Sequence, residues 1–192
     1  MPSPETPELL SSQARSTLMQ VADASIRHGL LHRKPLQVDP KSYLDELQAT
    51  RACFITLQKH GDLRGCIGHL EAFQPLIVDV AENAYAAAFQ DPRFPPISDN
   101  EMGDLEIHIS VLTAAKPMTF SSEEDLIAQL RPGQDGLILQ DGYSKGTFLP
   151  SVWESLPQPA EFFKHLKLKA GLPTTHWSES LKVLRYETES FP

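Results

Sequence analysis

The chain has 192 residues, long enough to bury a substantial core as one domain, or as one domain with a small second lobe. Its formal net charge is −8, and no Lys/Arg cluster stands out beyond Lys164, Lys167 and Lys169, which argues against nucleic acid as a partner because phosphate backbones reward basic surfaces. No run approaches the ~18 apolar residues of a membrane helix. No basic stretch followed by an apolar run marks the N-terminus. Two cysteines, Cys53 and Cys66, do not make a disulfide framework. The expectation is a cytoplasmic, reduced protein that binds neither nucleic acid nor membrane.

In chain order, residues 8–28 carry Leu10, Ala14, Leu18, Val21 and Ser25 at helical spacing, with Gly29 as the expected C-terminal stop. Residues 30–42 read as a linker, followed by a short helix around Tyr43–Leu47. Ala52–Leu57 and Leu63–His69 are strand-like and joined through Gly61, a hairpin signature. Pro75 opens a helix to Phe89 with Leu76, Val80, Ala84, Ala87 and Ala88 as its apolar stripe. Asp91-Pro92 ends it, and the prolines keep residues 91–96 extended. Leu105–Leu112 alternates, with Leu105, Ile107, Ile109 and Val111 on one face and Glu106, His108 and Ser110 on the other. Ser122 caps a short helix ending near Arg131. A second hairpin joins Leu137–Gln140 to Thr147–Leu149. A helix from Gln158 or Pro159 is closed by Gly171, and Leu181–Tyr186 is a last strand. Helices and hairpins in this irregular order predict an α+β fold with a mixed or mostly antiparallel sheet. Lys164, Lys167 and Lys169 are expected along a solvated helix edge.

The six residues LRGCIG at 63–68 put a thiol and a guanidinium on one short apolar segment. If the strand alternates, Arg64 and Cys66 project together while Leu63 and Ile67 point into the core. A cation beside a cysteine favours the thiolate, the nucleophilic form. Gly65 and Gly68 remove bulk, so a ligand or another backbone can come close. Cys53 lies in an apolar strand with no charge next to it in sequence and reads as core.

The motifs LRGCIG at 63–68, DPRFPP at 91–96, LEIHISVL at 105–112, DGLIL at 135–139 and KAGLP at 169–173 follow one another in the order found in the AMMECR family, which the chain resembles over about residues 50 to 180. The resemblance implies a larger and a smaller lobe meeting at a cleft that the LRGCIG strand helps to line. It also implies company, since prokaryotic relatives, called AmmeMemoRadiSam system protein A, are associated with a Memo-type protein and a radical-SAM enzyme. One departure is visible: many members have a cysteine two residues before the KAGLP run, where this chain has Lys167.

The candidate catalytic set is Cys66 as nucleophile or covalent carrier, Arg64 as its cation, and Glu106, His69 and His108 for proton handling. Gly65, Gly68 and the stiff loop bearing Asp91, Arg93 and Phe94 are candidates for substrate binding, the guanidinium suiting a carboxylate or phosphate. His60, Cys66 and His69 do not have the close paired spacing of a structural zinc site, so no metal is expected. No Walker loop, GxSxG elbow or HExxH appears, and the sequence names no cofactor. Two functions follow: a thiol-bearing component of a multi-protein modification pathway, or a non-catalytic module whose cleft recognises a peptide or small metabolite.

Overall fold

In the computed structural model, which describes residues 10–192, the chain is α+β and divides into two compact units. One unit runs to Leu112 and takes up Glu189–Pro192; the other is Thr113–Thr188. Each holds its own four-stranded sheet and its own hydrophobic core.

The first unit begins with α1 (Ser12–His32), capped by the Ser11 hydroxyl, which accepts from the Ala14 amide. The part of the predicted helix before residue 10 lies outside the described residues. Gly29 does not stop this helix: it stays inside, buried, and the left-handed cap falls on Arg33 at φ 55°. A non-glycine residue there costs about 1 kcal/mol. The strain is held by Arg33 N–H donating to Gly29 O at 2.9 Å and by the Tyr85 hydroxyl donating to Arg33 O at 2.9 Å. A one-turn helix, α2 (Asp45–Gln48), sits slightly later than expected.

Strands β1 (Cys53–Lys59) and β2 (Asp62–Gly68) form the predicted hairpin. Its two turn residues, His60 at φ 53° and Gly61 at φ 83°, are both left-handed, the geometry that matches the twist of antiparallel strands. Helix α3 (Leu76–Phe89) and strand β3 (Leu105–Leu112) follow, with a 3-10 turn, Asp99–Asp104, between them. The sheet order is β2-β1-β3-β8, where β8 (Thr188–Phe191) returns from the end of the chain. Cys53, Ile55 and Leu57 of β1 and Ile109 and Val111 of β3 point to one face, which α1 and α3 cover with Leu18, Ile26, Ile77, Val80 and Ala84. The opposite face carries Thr56, Gln58, Glu106, His108 and Ser110.

In the second unit, β4 (Lys116–Pro117), β5 (Gly136–Asp141), β6 (Ser144–Phe148) and β7 (Lys182–Tyr186) make a sheet in the order β4-β7-β5-β6. Helices α4 (Glu123–Gln129) and α5 (Pro159–Lys169) build its core from Leu126, Phe162, Phe163 and Leu166, with Trp153 stacked on Phe162 at 3.7 Å. Lys167 is not on a solvated edge as expected. It is 1% exposed, its ammonium donating to Glu123 Oε1 and to the His176 carbonyl. A lysine is tolerated there because both contacts satisfy the charge that burial would otherwise strand.

Candidate functional site

The β1–β2 register decides which side chains of LRGCIG meet. Leu57 faces Gly65 and Gln58 faces Leu63, so Arg64 is an extra residue, a β-bulge, in the edge strand. Past the bulge, Gly65 and Ile67 share the helix-covered face with Leu57 and Ile55, and Cys66 lies opposite Thr56 on the other face. Leu63 is thrown to that outer face and is 42% exposed, where simple alternation puts it in the core.

Arg64 therefore does not accompany Cys66. Its Nε donates to Glu101 Oε1 at 3.0 Å and its Nη2 to Glu101 Oε2 at 3.1 Å, and Lys59 Nζ joins the same carboxylate at 3.2 Å. The Arg64 fork, with Lys59 and Ser98, holds Glu101 well below the usual carboxylate range. Glu106, a candidate for proton handling, is not among the partners of Arg64. It stands opposite Gln58, 61% exposed, with His108 Nε2 at 3.9 Å.

The cation that reaches Cys66 is Arg93, and it reaches the backbone of that residue. The tripeptide Asp91-Pro92-Arg93 follows α3 as a tight turn and closes on the outer edge of β2. Asp91 is 4% exposed; its Oδ2 accepts the Cys66 N–H at 2.9 Å and Arg93 Nη2 at 2.8 Å, and its Oδ1 accepts Arg93 Nε and N–H. Arg93 Nη2 donates in turn to the Cys66 carbonyl at 3.3 Å. One acid–base pair thus satisfies both backbone groups of Cys66, groups that an edge strand otherwise leaves open. The Arg93 bonds, with the backbone bonds from Cys66 and Arg93, hold Asp91 far below the ordinary carboxylate range. Arg93 holds its own proton more firmly, chiefly through its hydrogen bonds to Asp91. Phe94 lies under the guanidinium, 5.5 Å from ring centroid to Cζ.

Cys66 is half-buried, and its sulfur is 3.3 Å from the Thr56 hydroxyl. Thr56 pairs across its other edge with His108, so Cys66, Thr56 and His108 form a row across three strands. The outer two are roughly 10 Å apart at the backbone. His108 Nε2 is buried and makes no hydrogen bond among the described residues.

His69 is separated from Cys66. It continues the helix-covered side of β2, its Nδ1 2.6 Å from Oδ1 of the buried Asp79 in the first turn of α3. Asn83 Nδ2 lies 3.2 Å from the same nitrogen, so Asp79 and Asn83 together fix the orientation of the ring. The ring is partly exposed and edge-on to Phe73. Asp79 also accepts from the amide and thiol of Cys53 and from Asn83 Nδ2. Cys53 is core, as expected, yet not free of charge: burial first, then Asp79, pushes its thiol well up.

Gly65 and Gly68 do not open a path for a ligand. A Cβ on Gly65 would run into the carbonyl of Ala87 in α3, and one on Gly68 into the Cys53 carbonyl and the Phe54 ring. Both are packing glycines.

Three partners escaped the sequence reading: Glu101, Thr56 and Asp79. Glu101 had a signal, because Ser98-Asp99-Asn100-Glu101 is a capping box, and Ser98 does bond the Glu101 carboxylate.

A family model, AMMECR1, matches residues 19–191, nearly all of the described chain. The chain belongs to the AMMECR1 family. Among AMMECR1-family relatives, a protein of Methanothermobacter thermautotrophicus is 36% identical over 188 residues and covers 95% of each chain. Protein MJ0810 of Methanocaldococcus jannaschii is 35% identical over 191 residues, covering 95% of this chain and 92% of its own. The crystal structure of protein PH0010 from Pyrococcus horikoshii is similar at a TM-score of 0.82 and 31% identity, over 95% of this chain and 92% of that one. The AMMECR1 assignment carries the α+β fold with two antiparallel sheets. Among the described residues no helix is long and apolar enough to cross a membrane.

Proposed function

We propose that this AMMECR1-family chain is a cytoplasmic, thiol-bearing component of a multi-protein modification pathway, with Cys66 as the reactive group and a Memo-type protein and a radical-SAM enzyme as partners. The observation that carries it is the contrast between the two cysteines. Cys53 is sealed in the core against Asp79, whose negative charge opposes thiolate formation. Cys66 is half-buried, has the Arg93 guanidinium bonded to its own carbonyl and touches a hydroxyl that can donate to sulfur. Under limiting iodoacetamide at about pH 7, Cys66 is expected to label at least about tenfold faster than Cys53, read by peptide mass spectrometry. Arg93→Gln is expected to slow that labelling. Equal rates, or Cys53 first, overturn the reading. An adduct on Cys66 alone, in protein co-expressed with the two partners, supports the pathway assignment, and an unmodified thiol in active complex opposes it.

A second reading, a non-catalytic binding or scaffold module for a peptide or small metabolite, has one observation in its favour. Both oxygens of Asp91 are already engaged, so this loop supplies no free base, while Arg93 remains 55% exposed and can still meet a ligand carboxylate. In that case Cys66→Ser retains full partner or ligand binding.

A further inference from the structure

Away from Cys66, the first unit has a groove of about 460 Å³, within the range of small-molecule sites. Tyr85 and Phe89 of α3 make one wall, their rings 5.0 Å apart; Leu30, Pro96 and Ile97 supply apolar surface; Arg33 stands at the rim. We propose that this groove binds a small organic anion with an apolar, preferably aromatic, body, whose charged group is taken by Arg33 and whose ring lies against Tyr85 and Phe89.

Three independent observations support this. The first is charge. The protein carries −8 overall, yet each segment that lines the groove is free of acid: residues 24–38, 83–90 and 92–98 contain no Asp or Glu. The first of these holds Arg27, His28, His32, Arg33 and Lys34. Arg27 is paired with Asp23, and the charged residue in the lining of the groove is Arg33, which is exposed, with exposed Lys34 next to it in sequence. A positively charged, apolar-walled recess on an acidic protein selects anions.

The second is backbone strain. The helix cap at φ 55° is the position that glycine or asparagine ordinarily takes, and here it is arginine. Tyr85, a wall of the groove, is the residue whose hydroxyl bonds the Arg33 carbonyl and fixes this conformation. Strain retained and locked by the residues of a recess marks the recess as a place where side-chain identity matters more than local stability.

The third is the shape of the wall. Gly29 is buried in the last turn of α1, and a Cβ there would lie 2.7 Å from Tyr85 Cδ2 and closer still to Phe89. Its absence lets the two rings lie against α1 and forms the floor of the groove.

The test uses the full chain, ¹⁵N-labelled, titrated with 3-phenylpropionate, with its neutral twin 3-phenylpropanamide, and with acetate. Saturable shifts are expected at the amides of Gly29, Leu30, Arg33 and Ile97 with the ring-bearing acid, with affinity about tenfold weaker for the neutral twin and for acetate. Arg33→Gly is the informative variant, because glycine fits the left-handed position. Its melting temperature is expected to equal or exceed that of the parent, while its preference for the acid over the neutral twin disappears. The proposal is overturned by absence of saturable shifts at these amides, by equal affinity for acid and neutral twin, or by an Arg33→Gly protein that keeps the preference. A lower melting temperature for that variant also overturns it, since Arg33 would then serve the fold. None of these outcomes depends on Cys66, so the groove and the thiol stand or fall separately.

Discussion

Replacing Gly65 with alanine is expected to destabilise the first unit by about 3 kcal/mol, at the upper end of what overpacking a tight site costs. Gly65 faces α3, and a Cβ at that position would enter the Ala87 carbonyl. The obstacle is helix backbone, which cannot rotate away as a side chain can. Two responses are open to the protein. β2 can lift from α3 and lose the burial of Ile67, or the Arg64 bulge can be expelled and the strand slip by one residue. A one-residue slip exchanges the faces of the strand and carries Cys66 into the core. Urea unfolding measures the loss of stability, and Cys66 alkylation separates the two routes: lifting preserves or increases labelling, slipping suppresses it. A loss below about 1 kcal/mol would mean that β2 and α3 do not approach so closely.

The same six residues show where sequence reading reaches and where it stops. Hairpin, bounding helix and the LEIHISVL strand were legible because their periods are clean, and Ile109 and Val111 are fully buried on the expected face. The bulge was not legible, because Leu-Arg-Gly-Cys-Ile alternates perfectly as text and only the register against Leu57 and Gln58 reveals the extra residue. That single residue turns Arg64 away to Glu101, and the cation that reaches Cys66 is Arg93, on the backbone carbonyl. The DPRFPP loop was readable as a stiff arginine-presenting turn, but nothing in the chain said which strand its 25-residue separation from Cys66 would bring it to. Asp79 was hidden in a different way. It lies among apolar neighbours on α3, and its role appears only when Cys53 and His69 arrive from the sheet. Lys167 reads as a surface lysine until Glu123 of another helix neutralises it. Long-range polar partners are set by topology, which local periodicity does not encode.

Asp91 offers the sharpest test of that reassigned geometry. Asp91→Ala is expected to cost about 3 kcal/mol near neutral pH, because it leaves the half-buried Cys66 N–H without its acceptor and frees Arg93 from its fork. The loss has a predictable dependence on pH. Asp91 is held below its unfolded value by Arg93, so it contributes stability that is complete above the unfolded pKa of about 3.9 and is lost as pH falls through the folded value. The gap between parent and Asp91→Ala should therefore be widest at neutral pH and narrow progressively below about pH 4. Glu101, held down by Arg64, falls in the same acid window but is present in both proteins and cancels from the difference. Urea melts of both proteins across that window read the effect directly. A gap that stays constant from neutral to acid would show that Asp91 acts through packing alone, and the Asp91–Arg93 clamp would lose its electrostatic role. A gap that narrows as expected, together with slower alkylation of Cys66 in Arg93→Gln, would tie the stability of the β2 edge and the reactivity of its thiol to one ion pair.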